Sequence, residues 1–280
     1  MGCECRSVVV VRGAGDLATG VIVRLAASGF LVVALETAKP TAIRRRVSLS
    51  ECMYDGSAEV EGVRAVKVKD MQEALARVSL GLVPVIEDPG CQSLSADRPM
   101  ALVDAIIAKR NIGTNISMAP IVIALGPGFT AGFDAHAVVE TNRGHDLGRV
   151  ILSGPAEADT GTPGMITGYS YERVIRAPIA GEVEILRDIG SIVHQGDPVL
   201  AVLDRSQTEK TWNACQIVRS PLSGMIRGMI RGGSLVSQGT KIADVDPRGS
   251  HVEASRISDK ARAIAGGVLE ALLHFGGRPL

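Results

Sequence analysis

A gapless internal repeat in the last third of the chain restricts its fold more than any other feature. Arg176-Ala-Pro-Ile-Ala-Gly181 is matched by Arg219-Ser-Pro-Leu-Ser-Gly224. Gly190 with Val193-His-Gln-Gly196 is matched by Gly233 with Val236-Ser-Gln-Gly239, and every matched pair lies 43 residues apart. Each half holds short β-type runs punctuated by glycine, too little to bury a core alone. The two halves are therefore expected to close on one another as a single β-barrel.

This spacing, x-Pro-x-x-Gly followed by Gly-x-x-Val-x-x-Gly in each half, resembles the biotinyl/lipoyl-type domains, the barrel-sandwich hybrid. In carriers of that family a lysine between the halves takes the biotin or lipoyl group. Here the connection holds Lys210 in Thr208-Glu-Lys-Thr211, without the methionines of a biotin site or the Asp-Lys-Ala of a lipoyl site. No covalent biotin or lipoyl is expected at Lys210, and the barrel reads as structural or partner-binding.

The first half has a different texture. Ser7 to Val11 is rich in β-branched residues, the mark of a strand buried on both faces. From Asp16 to Ser28, Leu17, Val21, Ile22, Leu25 and Ala26 share one helical face, and Gly29 supplies a stop. Further strands are expected at Phe30–Leu35, Val83–Ile86, Ala101–Ile107 and Pro120–Leu125, with a helix near Asp70–Ser79. Strand–helix alternation of this kind predicts an α/β fold with a Rossmann-like, doubly wound parallel sheet over residues 1–170. The barrel follows at 171–248, and 249–280 forms a C-terminal helix. Ser258 caps that helix, and its stripe of Ala261, Ile264, Ala265, Val268, Leu272 and Phe275 is expected to pack on the first domain or on a partner subunit, a homo-oligomer.

Charge and composition exclude several partners. Thirty basic and 30 acidic residues cancel, so the chain lacks the basic surplus of a nucleic-acid binder. Only 4 Phe, 3 Tyr and 1 Trp are present, too few for a base-stacking surface. No apolar run reaches the roughly 18 residues of a membrane span, and Arg12 interrupts the N-terminal apolar stretch too early for a signal peptide. Five scattered cysteines, an odd number, read as reduced thiols of a cytoplasmic protein.

Gly13-Ala-Gly15-Asp16-Leu-Ala18 follows the first strand and opens a helix, the context a dinucleotide fingerprint requires. Gly13 permits the tight turn, Gly15 lets a pyrophosphate approach the backbone, and Ala18 stands for the third glycine. The helix N-terminus offers unpaired N–H groups to anionic oxygens. Glu36 ends the second strand, where an acid would hold a ribose hydroxyl. Asp16 sets a negative charge beside this site; the alternative is a tight turn with no ligand. Thr41 and Arg44, in Thr41-Ala-Ile-Arg44-Arg-Arg46, are candidates for a further phosphate. Asp104, within a strand that should be apolar, and Lys109, Arg110 and Asn111 after it fall on the expected ligand-facing edge.

A second glycine-rich loop, Gly126-Pro-Gly128, follows the Ile121–Leu125 strand. Phe133–Thr141 then reads as a helix carrying His136 and Glu140 four apart on one face, with His145-Asp146 beyond. His136, His145, Asp146 and the thiol of Cys91 are candidate catalytic groups beside an anion cradle. Two ligands at this spacing fall short of a zinc site, so no metal is expected.

Taken in order, VVVVRGAGDLATG, KPTAIRR, LVDAIIAKRNIGT, ALGPGFTAGFDAHAVVETNRGHDLGRV, GTPG, DVDPRG and ISDKARAIAGGVLEALL resemble the YqeB-type accessory proteins of selenium-dependent molybdenum hydroxylases. The first half is also similar in kind to XdhC-type molybdenum-cofactor chaperones. The resemblance implies a maturation factor that binds a molybdopterin-type cofactor, delivers or modifies it, and works with the apo molybdenum hydroxylase and selenium-donor machinery. From the residues alone, a dinucleotide such as NAD(P) fits the same crevice. An NAD(P)-dependent oxidoreductase and a non-catalytic nucleotide sensor or scaffold remain the alternatives.

Overall fold

Strand β1 (Val8–Arg12) is four valines and an arginine, all buried. A strand apolar on both faces has to lie inside a sheet covered on both sides. In the computed structural model, which describes residues 8–95, 98–159, 161, 164–204 and 215–279, the chain divides into two units. The first comprises Met1–Pro40, Val47–Thr160 and Ile257–Leu280; the second comprises Thr41–Arg46 and Gly161–Arg256.

In the first unit β1 pairs in parallel with β2 (Leu31–Glu36) and with β6 (Ala101–Asp104). Around these three lie β3 (Ser57–Val60), β4 (Val63–Val68), β5 (Val83–Glu87), β7 (Ile121–Leu125), β9 (Ala137–Val139) and β10 (Val150–Ile151). The nine strands run in the order β10-β9-β7-β6-β1-β2-β5-β4-β3. A separate ribbon pairs β8 (Thr130–Ala131) with β11 (Gly154–Pro155).

Helix α1 (Asp16–Ala27) forms where its apolar stripe predicts, and α4 (Asp259–His274) is capped by the Ser258 hydroxyl accepting from the Ala261 N–H. Both cover one face of the sheet, where Val21, Ile22 and Leu25 of α1 and Ile264, Val268 and Leu272 of α4 join Val9 and Val11 in one core. The alternate residues Val8 and Val10 point to the opposite face, against Met71, Ala74 and Val78 of α3 (Met71–Val78). Each such Val, Ile, Leu or Met side chain contributes about 1.5–3 kcal/mol on full burial. A short helix α2 (Cys52–Asp55) precedes β3.

The all-parallel, doubly wound sheet expected from the sequence is corrected. The sheet is mixed: β3 and β10 pair antiparallel at its two edges, and β3–β4 is a tight hairpin. The expected helix Phe133–Thr141 is also absent. Its β-branched Val138-Val139 lies in β9, which extends the sheet parallel to β7, and a turn fills the space before it. Strand β6 stops at Asp104, and the expected extension to Ile107 is loop, with Ile107 at φ +53°.

The second unit contains β12 (Val174–Arg176), β13 (Gly181–Ile185), β14 (Ile192–Val193), β15 (Pro198–Leu203), β16 (Cys215–Arg219), β17 (Gly224–Met229), β18 (Leu235–Val236) and β19 (Lys241–Asp246). Here the expected closed, biotinyl/lipoyl-like barrel is replaced by two separate four-stranded antiparallel sheets, ordered β12-β19-β17-β14 and β16-β15-β13-β18. No hydrogen-bonded ring joins them among the described residues. Each strand of one sheet has its counterpart 43 residues away in the other, so each half of the repeat contributes strands to both sheets. Their inner faces share one core, including Val183, Val202, Ile226, Met229 and Val245.

The repeat glycines explain the close approach. A Cβ on Gly181 would stand 2.1 Å from the Leu203 carbonyl oxygen, and one on Gly224 would stand 2.2 Å from that of Asp246. Those two carbonyls are themselves 43 residues apart. The same crowding is thus imposed twice. Lys210 lies outside the described residues. Among the described residues no helix is long and apolar enough to cross a membrane.

Candidate functional site at the carboxyl edge of the sheet

Strand order reverses between β1 and β6: the chain moves from β1 to β2 on one side and from β6 to β7 on the other. In an open parallel sheet the loops at such a point part to leave a crevice at the carboxyl ends of the strands. The Gly13–Gly15 turn stands there. Gly13 has φ +101°, and a Cβ on it would lie 3.2–3.3 Å from Ile106 and the Ala105 carbonyl group, so the turn is pressed against the loop after β6. Gly15 is different. Its φ is −67°, a Cβ on it would meet nothing within 4 Å, and as N-cap of α1 it leaves the helix without a side-chain cap.

Glu36 reaches back to this turn. Its carboxylate accepts from the Ala14 N–H at 2.8 Å and the Thr37 N–H at 2.8 Å. Burial pushes its pKa above the ordinary value, and the two amides only partly oppose that. Asp16 lies in the first turn of α1, half-buried, and Ala18 is in the core.

Arg12, the last residue of β1, occupies the bottom of the switch point. Its guanidinium meets the Asp104 carboxylate at 3.2 Å and donates to Thr114 Oγ1 at 2.8 Å, to the Pro89 carbonyl at 2.8 Å and to the Ile112 carbonyl at 3.2 Å. Thr114 Oγ1 in turn donates to Asp104 at 2.6 Å. One side chain therefore ties together β6 and the loops after β5 and β6. Asp104 is the partner of Arg12 and faces no open space, being fully buried.

Lys260, in the first turn of α4, adds a half-buried amine to this unit. Burial lowers its pKa, and the nearby Arg143 adds to the effect against the opposing pull of Asp16, Glu140 and Asp159. Lys109 pairs with Asp159 at 2.8 Å, and Arg143 grips Asp259 through two bonds of 3.0 and 3.1 Å. Buried Glu140 accepts from the N–H groups of Thr141, Asn142 and Glu157, so it organises the loop after β9. Asn111 does the same after β6: its side chain accepts from Gly113 and Thr114 and donates to Thr114 and Asp134. Gly126 lies against Thr141 and Gly128 against the Arg110 backbone, so these glycines seat one loop on its neighbours. Arg110 itself is exposed.

The remaining candidates are dispersed. Thr41 and Arg44 belong to the second unit, where Arg44 donates to the Ala254 and Arg256 carbonyls. His136 accepts the Val122 N–H on Nδ1 at 2.9 Å, and its ring meets Phe275 edge-on. It stands near the amino end of β7, away from the crevice. Four residues in extended chain span about 13 Å, so His136 and Glu140 do not act together. His145 and Asp146 lie on an exposed turn, with Asp146 paired to Arg149. Cys91 is buried after β5, and desolvation pushes its thiol up to about 11. Among the described residues no three His, Cys, Asp or Glu side chains gather as a metal group.

Two residues escaped the sequence reading. An arginine ending an all-valine strand was the signal for Arg12. A lysine in a helical first turn, where the dipole disfavours cations, was the signal for Lys260.

No family model matches the sequence. The chain is 48% identical over 265 residues to the uncharacterized protein YqeB of Escherichia coli strain K12, covering 95% of this chain and 47% of that protein. It thus spans about half the length of the curated relative it matches. Similar solved structures include a succinylglutamate desuccinylase from Silicibacter, 12% identical over 86% of this chain and 85% of that one, with a TM-score of 0.27. An aspartoacylase family protein from Mesorhizobium loti is 13% identical over 86% and 84%, with a TM-score of 0.27. The ectoine utilization protein EutE from Ruegeria pomeroyi is 11% identical over 85% and 56%, with a TM-score of 0.26. The expected place among accessory proteins of molybdenum hydroxylases and beside XdhC-type chaperones, and the maturation role that went with it, is corrected: the relative that matches over 95% of this chain is itself an uncharacterized protein and supplies no such role.

Proposed function

We propose that the crevice at the carboxyl edge of the first unit's sheet binds the phosphate-bearing part of a nucleotide, a dinucleotide such as NAD(P) being the ligand class that suits its residues. The observation that carries this reading is Gly15. Neither backbone strain nor packing requires a glycine at its φ of −67° with open space around the Cβ position. What its missing side chain does is leave the amide end of a twelve-residue helix uncovered. Such an end attracts anions through its unpaired N–H groups and the helix dipole. The half-buried Lys260 amine supports the same preference for negative charge, and Glu36, fixed on the turn, keeps acceptor capacity for a ligand hydroxyl.

Isothermal titration with NAD⁺, NADP⁺ and ADP tests it, on the wild type and on Gly15→Leu. A side chain is compatible with the backbone at Gly15 and its Cβ meets open space, so the variant should stay folded, with at most about 1 kcal/mol lost to poorer capping, while losing affinity by about a hundredfold or more. Absence of binding to all three, or equal binding by Gly15→Leu, would overturn the reading.

A further inference from the structure

A cavity of about 530 Å³ opens in the first unit far from the Gly13–Gly15 turn, at the amino ends of β6 and β7. Among the described residues its walls are Pro99, Met100, Pro120, Ile121 and Phe275, with Gly276 and Gly277 after α4 and a single charged side chain, Arg98. The volume lies in the range of small-molecule sites, roughly 300–1,000 Å³. Apart from Arg98 the wall side chains are apolar, while polar atoms share the lining surface with them. The charge is a cation that hydrogen-bonds only partly, Arg98 Nη2 donating to the Ser117 carbonyl while the rest of an exposed guanidinium fork is left over. The carbonyl end of α4, which would repel an anion, is covered by Arg278, whose Nη1 donates to the Leu273 and Gly277 carbonyls. Phe275 meets the rings of His136 and His274 edge-on, at centroid distances of 5.7 and 4.9 Å.

We propose that this cavity is a second ligand site, taking a small molecule with an apolar, ring-sized body and a carboxylate that pairs with Arg98. The body packs against Met100, Ile121 and Phe275, and the carboxylate sits at the Arg98 rim. The site is independent of the crevice: it shares no residue with the Gly13–Gly15 turn, Glu36 or Lys260.

The test uses 4-fluorobenzoate observed by fluorine NMR, with 4-fluorobenzamide as the uncharged counterpart. The carboxylate should broaden and shift on adding the wild-type protein, and the amide should bind about tenfold more weakly, the worth of one charge-assisted hydrogen bond. Arg98→Ala should weaken the carboxylate by a similar factor, and Met100→Trp, which fills the cavity, should abolish its binding. Because Arg98 is exposed, Arg98→Ala decides the matter even if the tryptophan variant does not fold. No binding by the wild type, or equal binding of the carboxylate by wild type and Arg98→Ala, overturns the proposal.

Discussion

Arg12 and Asp104 end two neighbouring parallel strands in the same register, and their side chains meet at 3.2 Å while both are buried. A charge taken out of water is tolerated only with its partner and its hydrogen bonds in place. Asp104→Ala leaves the guanidinium with carbonyl and hydroxyl partners but without its paired carboxylate, and should cost about 3–5 kcal/mol. Urea unfolding monitored by circular dichroism measures this. A loss below 1 kcal/mol would mean that water reaches Arg12 in the native state.

The two glycines of the β1–α1 turn should respond unequally to alanine. Gly13→Ala forces a side chain into a left-handed conformation against the Ala105 carbonyl and should destabilise by about 1–3 kcal/mol. Gly15→Ala meets neither obstacle, and the gain from a less free unfolded chain offsets alanine's poorer capping, so the change should lie within about 1 kcal/mol of zero. Paired thermal melts separate the two.

Lys260 gives a pH signature with a definite sign. Its pKa is lowered in the folded protein by burial first and by Arg143 second, so between the folded value and the ordinary value of 10.5 the unfolded chain binds more protons. Stability from this residue therefore rises with pH in that window, and the full cost of holding the ammonium is present below it. Lys260→Met should show its greatest relative gain at neutral pH, shrinking as pH approaches 10.5. Denaturant midpoints of both proteins at pH 7 and pH 10 check this; parallel pH profiles would contradict the burial of the amine.

The buried thiols should be inert. Desolvation first, then neighbouring carboxylates, push Cys52 up to about 12, while burial outweighs the nearby Arg12 to hold Cys91 at about 11. The thiolate is the reactive form. With iodoacetamide at pH 8 on native protein, peptide mapping should find Cys215, which is half-exposed, alkylated well before Cys52 or Cys91. Rapid alkylation of Cys91 would show that the loop after β5 opens.

Gly181 and Gly224 occupy equivalent places in the repeat, each facing a carbonyl within 2.2 Å of where a Cβ would stand. Alanine at either should cost about 1–3 kcal/mol by overpacking, and the two losses should be alike. Chemical denaturation of each single variant tests the equivalence; very different losses would mean that the two sheets tolerate strand displacement unequally.

Local chemistry wrote much of this into the sequence. The β-branched run of β1, the stripes of α1 and α4, the Ser258 cap and the 43-residue repeat depend on short-range periodicity and sterics, and they are legible residue by residue. What surrounds them is decided at long range. Strand direction at the edges of the sheet is not carried by side-chain alternation, so the antiparallel β3 and β10 went unread. Likewise, His136 and Glu140 have helical spacing, but pairing of Val138 and Val139 beside β7 outweighs it. The sharing of the repeat between two sheets rests on pairing across the two halves, which no single half specifies. The site follows the same division. Gly13 and Gly15 were visible as a strand–turn–helix motif, yet only the fold distinguishes them, by crowding one against Ala105 and leaving the other open. Asp104 read as a ligand-facing acid until tertiary contact supplied Arg12, because a buried charge takes its meaning from a partner 92 residues away in the chain.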